Sequence, residues 1–473
     1  MKKVILVLVL LIAVAVLALP PVLGGMTQST FEEQIAKFDE NPVFALTVSS
    51  YERGWLTSTA EVAISLDEAY VSRMTANAPV EDDFGAMIAS ESISVGVDIS
   101  HGPVTFTDGM YFGLSKIHAS LDGSDANIAM ITDELGIDYL AELDGRVSYT
   151  GTFSFTSNIP AIDYIDENGQ IRFSGLTLDG VNRGSELSID ALTELLSIDV
   201  GGVTTNFENI GFTSRSTPVN SLLWVGDFDG WVESMSFFNQ LDPNASMSMS
   251  GIGISAAAEL DDTGELFDAH ITYAVDTMSV PAEEIEVTDS EITVRFGNLS
   301  VESVTDYYET MLSIDLEDPT MAAMVLPGIA LEILRRNPTF ALDPVAFTLN
   351  GDSMLASLSI RTINGDQSID FSNPMMMLGM FEASASITAA KSLVEQLAAQ
   401  AAAEQMSGLD DGSLPPGQDV ESMAQAQVDL LIATFLGQGY IEDDGENYTS
   451  EIEYANGEVR VNGMPLPLGA LMM

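Results

Sequence analysis

The sequence of 473 residues lacks cysteine and has only 16 Lys plus Arg against 71 Asp plus Glu. Without cysteine, disulfides, thiolate catalysis and cysteine-ligated metals are excluded. The formal net charge of −55 excludes a general nucleic-acid binder, because neutralising phosphates requires clusters of Lys and Arg. It also argues against adhesion to an anionic membrane surface. The acidic residues are spread along the chain, and we interpret them as adaptation to a saline medium that screens their mutual repulsion.

Catalytic and cofactor signatures are also missing: the sequence contains no G-x-S-x-G, no Walker loop and no H-E-x-x-H. Gly251–Ala256 matches the weakest dinucleotide pattern, but it lies inside an alternating strand rather than at a strand-to-helix turn. His101, His118 and His270 are isolated, so structural or solvent-facing roles are favoured over a two-histidine metal site. Asp163–Ile171 predicts a hairpin rather than a calcium loop, because the first and twelfth positions of such a loop could not bind the ion. We therefore predict no catalytic residue, cofactor or metal.

Long apolar runs are absent except at the N-terminus. Lys2 and Lys3 precede an unbroken apolar run, Val4–Leu19, and Pro20-Pro21 follow it. Counted on to residue 26, the run reaches the roughly twenty residues that span a bilayer. Lysines before it and acidic chain after it predict a transmembrane helix over 1–26, with a cytoplasmic N-terminus and the rest of the chain outside. A cleaved signal peptide is the alternative, and we favour a retained single-pass anchor because the run is long.

Alternation with a period of two dominates the chain from Ala45 to about Ile369, as in half-buried antiparallel strands. It is clearest in four segments: Glu91–Ser100, Arg146–Phe155, Ser246–Ser255 and Ile292–Val301. Dipeptides that favour type I′ hairpin turns occur at Asp144-Gly145, Asn168-Gly169, Asp179-Gly180, Asp229-Gly230, Asn350-Gly351, Asn364-Gly365 and Asn456-Gly457. The pattern predicts a mainly β fold with helices (α+β), built on a large curved antiparallel β-meander.

Helical patterns interrupt the strands and define the predicted domains. Helices are predicted at Phe31–Phe38, Pro319–Pro338, Ala383–Met406 and Val420–Gly439. The domains are the anchor at 1–26, a curved β domain at 27–380 with an inserted helix at 319–338, a helical segment with a Gly/Asp/Pro linker at 381–440, and a closing hairpin at 441–473.

Methionine is abundant and clustered. Met247 and Met249 share one face of a predicted strand, and a second cluster comprises Met375, Met376, Met377 and Met380. Flexible thioethers fill irregular cores and also line surfaces that accept varied apolar partners. Core filling is the first interpretation, an apolar ligand groove the second, and thioether ligation of Cu(I) the third.

The segment Tyr51–Leu66 places Arg53, Gly54 and Trp55 at the start of an alternating strand. A tryptophan there, after a glycine that lets backbones approach, would lock the first strand onto the sheet. Arg53 would stack on the indole or pair with a carboxylate. The order of anchor, short helix, Tyr-x-Arg-Gly-Trp and alternating strand resembles the YdgA/YihF-type family of Gram-negative envelope proteins.

Three further stretches are similar to the same family. They are Ile99–Val104 with His101, Gly102 and Pro103; Asn337–Ile360; and the closing segment Leu436–Leu468 with Asn462 and Gly463. The resemblance spans nearly the whole chain in order. It implies an architecture and a place in the bacterial envelope, and it brings no established activity.

These observations together predict a bacterial inner-membrane protein with one N-terminal helix and the bulk of its chain in the periplasm. We expect a non-enzymatic protein whose curved sheet contacts an apolar ligand such as lipid, or an envelope protein partner. A purely structural or assembly factor is the alternative, and an enzyme is third because no convergent nucleophile, base or metal set is visible.

Overall fold

The computed structural model describes residue 28 and the ranges 44–66, 92–105, 109–167, 169–242, 244–313, 328–363, 365, 379–407 and 420–466. The described chain is mainly antiparallel β with several helices, which confirms the predicted fold class. It divides into two compact units, Met1–Gly226 and Asp227–Met473. The division falls near the start of strand β14 (Trp224–Asn239).

The first unit contains thirteen strands among its described residues and the helix α1 (Ala126–Leu135). The strands are β1 (Phe44–Arg53), β2 (Thr57–Leu66), β3 (Ile93–His101), β4 (Val104–Thr105), β5 (Tyr111–Phe112), β6 (Ser115–Asp122), β7 (Tyr139–Val147), β8 (Phe153–Ile159), β9 (Ile162–Ile165), β10 (Gly169–Phe173), β11 (Leu176–Asn182), β12 (Leu187–Val200) and β13 (Val203–Pro218).

These strands pair antiparallel in the order β1-β2-β3-β6-β7-β8-β11-β12-β13. The β9–β10 hairpin extends the sheet by pairing with the second half of β12. Alternation explains the two faces: Ala60, Val62, Val97 and Ile99 form a buried apolar cluster on one side. On the other side, Asp98, His118 and Asp144 are exposed cross-strand neighbours.

A glycine–phenylalanine–glycine row crosses the centre of this sheet. Phe155 on β8 lies directly opposite Gly145 on β7 and Gly180 on β11. A Cβ atom on Gly180 would come within 2.2 Å of the Phe155 ring, and one on Gly145 within 2.5 Å of the Phe153 ring. Glycine in a strand interior marks such a close approach, so both glycines make room for aromatic rings.

The second unit carries longer strands and several helices in its described part. After β14, the strands are β15 (Met247–Leu260), β16 (Leu266–Val280), β17 (Ile285–Ser300), β18 (Thr339–Leu349), β19 (Asp352–Thr362), β20 (Phe381–Ala390), β21 (Glu442–Asp443), β22 (Asn447–Ala455), β23 (Glu458–Val461) and β24 (Met464–Leu466). The helices include α2 (Val301–Ser313), α3 (Lys391–Ser407) and α4 (Val420–Gln438).

The strands of this unit from β15 onward pair antiparallel in the order β15-β16-β17-β18-β19-β20-β22-β23-β24. Helices α3 and α4 pack against each other and against β20 and β22, where Val428, Ile432 and Tyr448 are buried together. Lys391 at the start of α3 forms an ion pair with Asp443. These contacts attach the helical pair to one end of the sheet.

Several predicted turns and boundaries were wrong. Asp144-Gly145, Asp179-Gly180 and Asp229-Gly230 lie within strands β7, β11 and β14. The predicted strand Arg146–Phe155 is instead a hairpin, because a turn ending at Gly151 separates β7 from β8. Asn350-Gly351 and Asn456-Gly457 do form turns, with positive φ at all four residues.

The predicted helix Ala383–Met406 begins too early, since Ala383–Ala390 belongs to strand β20 and α3 starts at Lys391. Successive residues of β20 pair with β19 on one side and with β22 on the other, and this pairing overrides the helical propensity of alanine. Of Pro319–Pro338, the structure describes only the part from residue 328, which is helical over 328–334.

The helix predicted at Phe31–Phe38 and the anchor at 1–26 lie outside the described residues. Within the described ranges, no helix has the length and apolar character needed to span a membrane.

Candidate functional site

Two motifs of the family resemblance meet at one end of the first sheet. The turn after Arg53 connects β1 to β2 and is closed by a hydrogen bond from the Gly54 amide to the Thr57 carbonyl at 2.8 Å. The His101 amide at the end of β3 donates to the Leu56 carbonyl of this turn at 2.7 Å. Segments that are far apart in the sequence therefore form one site.

A buried Ser–His pair lies beneath this turn. Ser58 Oγ and His101 Nε2 are 2.8 Å apart, and each residue is only 2% exposed. Within the described chain, His101 Nδ1 has no hydrogen-bond partner. Burial, and secondarily the charge of Arg53, lowers the pKa of His101 below its ordinary value of 6.5, so the ring is neutral at neutral pH. A serine–histidine pair can form a nucleophile; here both residues are buried, and their contact joins β2 to β3.

A small flap, formed by β4 and β5, follows directly from His101. The Gly102 amide donates to the Leu114 carbonyl at 2.7 Å, and a Cβ atom at Gly102 would lie 1.8 Å from the Gly113 carbonyl oxygen. Only glycine fits this approach. The peptide bond to Pro103 is cis, and the Pro103 carbonyl accepts a hydrogen bond from the Tyr149 hydroxyl.

The flap also contacts a cationic side chain. The Arg146 guanidinium lies 5.8 Å from the centre of the Tyr111 ring, within the range of a cation–π contact. Lys116 on β6 is the cross-strand neighbour of Arg146. Burial raises the pKa of Tyr111, while Arg146 opposes the shift. Two basic residues are therefore adjacent, of which Arg146 is exposed and Lys116 is buried.

Large apolar side chains project into solvent from the same end of the sheet. Trp55, Leu56, Met110, Phe112 and Tyr149 are each between 55% and 64% exposed. We name the segments that carry them (53–58, 101–105, 109–117 and 145–153) the aromatic tip. The apolar side chains come from three separate loops, which the hydrogen bonds described above hold together.

The prediction that Trp55 packs onto the sheet was wrong. Tyr51 and Arg53 point to the face that holds Ala60 and Ser58, their cross-strand neighbours, and Tyr51 packs against the apolar cluster. Trp55 lies beyond Arg53↔Ser58, the last pair of the hairpin. Because it has no strand beneath it, its ring is 61% exposed.

The closing motif has a structural role in the second unit. Asn462 adopts positive φ in the turn between β23 and β24, and Gly463 follows with φ of 76°. The Asn462 side-chain oxygen accepts from the Glu451 amide at 2.7 Å, and its side-chain nitrogen donates to the Gly439 carbonyl at 2.9 Å. Asn462 thus connects β22, the β23–β24 turn and the end of α4.

In the second unit, one face of the sheet exposes its apolar residues. Cross-strand register places Ile254, Tyr273, Ile292, Val345, Ala356 and Ile387 in one row. A second row on the same face contains Ala256, Ile271, Val294, Leu342, Leu358, Ala385 and Ile452. We name these two rows the open face.

The open face reverses the usual inside–outside arrangement. Its members Ile254, Tyr273, Ile292, Ile387 and Ile452 are between 36% and 50% exposed. On the opposite face, by contrast, Thr272 and Thr293 share a hydrogen bond at 2.8 Å, and Thr293 is 1% exposed. Helices α3 and α4 cover only the end of the open-face side where Tyr448 lies.

The methionines do not form one lining among the described residues. Met247 and Met249 are half-buried on β15, where Met249 faces Met278 across the strands. Met380 is 7% exposed, which fits core filling at that position. Met375, Met376 and Met377 lie outside the described residues.

Two grooves in the described part, of about 280 and 410 Å³, are lined mainly by polar residues. His270 lines the larger groove. His118 forms a pair with Asp144 at 3.1 Å.

These observations define an antiparallel β protein that carries the open face and the aromatic tip. Its sequence matches a known family. Residues 1–469 match the family described as "Bacterial protein of unknown function (DUF945)", and the chain belongs to this family. It is 20% identical to Protein YdgA of Escherichia coli (strain K12) over 410 residues, covering 80% of this chain and 78% of that protein. No solved structure matches. The resemblance predicted from the sequence is confirmed.

Two parts of the site were missed from the sequence. Met110, Phe112 and Tyr149 carry no motif, although each lies near a glycine, which signals a loop where an apolar side chain has no strand to pack against. The open face follows from the same alternation that predicted the strands. What the alternation could not show is which apolar face remains uncovered.

Proposed function

We propose that this is a non-enzymatic envelope protein, tethered to the inner membrane by residues 1–26, whose open face binds an apolar ligand such as a lipid acyl chain. The observation that carries the proposal is the inverted exposure of the second sheet. Ile292 is 42% exposed beside Thr293, which is 1% exposed. Burying apolar area contributes about 25 cal/mol per Å², so this face favours an apolar cover.

The shape of this surface favours a flexible, elongated ligand. The two rows of the open face run across successive strands, and strands are spaced about 4.8 Å apart. An acyl chain could contact several strands at once, whereas a compact ligand would need an enclosed pocket. Large apolar patches of this kind mark interaction sites. A protein partner on the same face would make the chain an assembly factor, the alternative expected from the sequence.

Photo-crosslinking tests the proposal. The full-length chain in detergent is irradiated with a diazirine-labelled fatty acid, and labelled peptides are mapped by mass spectrometry. We expect label on β16 and β17, and its loss in Tyr273→Glu and Ile292→Glu, because a carboxylate on the open face cannot be desolvated by an acyl chain.

The matched controls are Ser359→Glu and Ser384→Glu, a cross-strand pair of exposed residues on the opposite face. They add the same charge to the same sheet and should keep the label. Label confined to residues 1–26, or equal loss in all four variants, would refute lipid binding and leave the assembly role.

A further inference from the structure

We infer that Asn456 is a site of spontaneous covalent modification, at which its side-chain amide is converted to a carboxylate through the adjacent Gly457. This inference does not depend on ligand binding by the open face. The residue lies in the two-residue turn between β22 and β23, whose last cross-strand pair is Ala455↔Glu458. Both turn residues have positive φ, 55° for Asn456 and 79° for Gly457, as in a type I′ hairpin.

The reaction needs only these two residues and water. The backbone nitrogen of Gly457 attacks the side-chain carbonyl carbon of Asn456 and forms a C–N bond with it. The side-chain nitrogen leaves as ammonia and takes the proton of the glycine amide. Water then opens the resulting succinimide ring at either of its two carbonyls, which gives aspartate or isoaspartate. Glycine has no Cβ to hinder the attack, and in the described chain the Gly457 amide donates no backbone hydrogen bond.

Three described turns of the second unit share this dipeptide and this backbone conformation. Asn350-Gly351 joins β18 to β19, and Asn462-Gly463 joins β23 to β24, each as a two-residue hairpin with positive φ at both positions. Asn168 and Asn364, which precede glycine elsewhere in the sequence, lie outside the described residues. The chain therefore carries two internal references for Asn456, with the same reacting groups.

The side chains of the three asparagines differ in their hydrogen bonds. The Asn350 oxygen accepts from the Glu286 amide at 2.8 Å. The Asn462 oxygen accepts from the Glu451 amide at 2.7 Å, and its nitrogen donates to a carbonyl at the end of α4 at 2.9 Å. Asn456 is exposed, and among the described residues its side chain has no hydrogen-bond partner. Two of the three side chains are thus held, and that of Asn456 is free to rotate.

The position of each turn explains this difference. β20 pairs with β22 only as far as Ala383↔Tyr454, so the turn at 456–457 projects past the neighbouring strand. A held side chain must break its bonds before its carbon can approach the glycine nitrogen. Each bond of ordinary net strength slows that step about fivefold. Asn456 meets no such barrier and should react first.

The product would alter the closing hairpin. In isoaspartate the chain runs through the side-chain carbon, so the turn gains a backbone bond and the pair Ala455↔Glu458 loses its register. Either product adds a carboxylate next to Glu458, where like charges repel. Because β22 also pairs with β20, modification of Asn456 would weaken this end of the sheet.

Isotope labelling tests the inference on the full-length chain in detergent. The protein is kept in a mildly alkaline buffer made with water enriched in heavy oxygen, below its melting temperature. Cleavage after glutamate isolates Asn456 on the peptide 454–458, and fragment spectra localise label at the other sites. We expect heavy oxygen to enter Asn456 about fivefold faster than Asn350 and about thirtyfold faster than Asn462.

A parallel incubation in concentrated urea separates structure from sequence, since the three sites should then react at similar rates. The matched variant is Asn456→Gln, which keeps an amide but would have to close a larger ring; its peptide should gain no label. Equal rates at the three sites in the folded chain would overturn the inference. The same ranking in urea as in the folded chain, or label at position 456 in Asn456→Gln, would overturn it as well.

Discussion

Substituting Gly102 by alanine should destabilise the first unit strongly. The added Cβ would lie 1.8 Å from the Gly113 carbonyl oxygen and 3.0 Å from the Leu114 carbonyl oxygen. Both obstacles are backbone atoms, so no side-chain rotation relieves the clash, and the end of β3 must move away from the flap. Such overpacking costs about 1–3 kcal/mol. The hydrogen bond from Gly102 to Leu114 would also be weakened, which costs about 1 kcal/mol more.

Thermal unfolding of the full-length chain in detergent, followed by far-ultraviolet circular dichroism, measures this effect. A loss of about 2–4 kcal/mol should lower the melting temperature of the unit by roughly 4–16 °C, given about 2–4 °C per kcal/mol for units of this size. The matched control is Gly96→Ala on the same strand, where a Cβ would meet no atom within 4 Å. It should be neutral or stabilising by about 0.4–1 kcal/mol. If both variants melted at the same temperature, the close approach at Gly102 would have no energetic consequence and our reasoning would fail.

Four other outcomes are expected. Because burial and Arg53 lower the pKa of His101 below 6.5, the unfolded state takes up a proton that the folded state resists. The free energy of unfolding should then fall as pH drops below 6.5. Urea titrations should show a smaller fall in His101→Gln than in His118→Gln, the control at an exposed histidine. Melting temperatures should rise between low and near-molar NaCl, since salt screens the acidic excess; a flat or falling midpoint contradicts this. Trp55→Ala should change stability by less than about 0.5 kcal/mol in urea unfolding. Asn462→Ala should cost about 2 kcal/mol through two lost hydrogen bonds, and unchanged urea unfolding would rule out its connecting role.

The limits of sequence prediction are clearest at the Asp-Gly dipeptides. Asn350-Gly351 and Asn456-Gly457 are turns with positive φ, as local propensity predicts. Gly145 and Gly180 belong to strands because they face the rings of Phe153 and Phe155. Propensity could not distinguish the two cases, since the deciding contact comes from a neighbouring strand.

Burial was harder to predict than strand position. Period two correctly placed Val95, Val97 and Ile99 within strand β3, and the buried cluster contains Val97 and Ile99. The same pattern predicted the strand Ile292–Val301, but Ile292 of β17 lies on an apolar face that is exposed. Alternation shows which side chains share a face. Whether that face is covered depends on elements elsewhere in the chain.

The order of strands in the second unit has a consequence for how the protein folds. From β15 to β20 every strand pairs with the next one in the chain, so the sheet can grow by adding each strand to the one before it during synthesis. The longest connection in this series, residues 301–338 with α2, lies between β17 and β18. The exception is β20, whose second partner β22 arrives only after α3 and α4. Until then, β20 exposes an unpaired backbone edge, which is a template for association between chains. A nascent or truncated chain that ends before Asn447 would carry that edge permanently, and we expect it to aggregate.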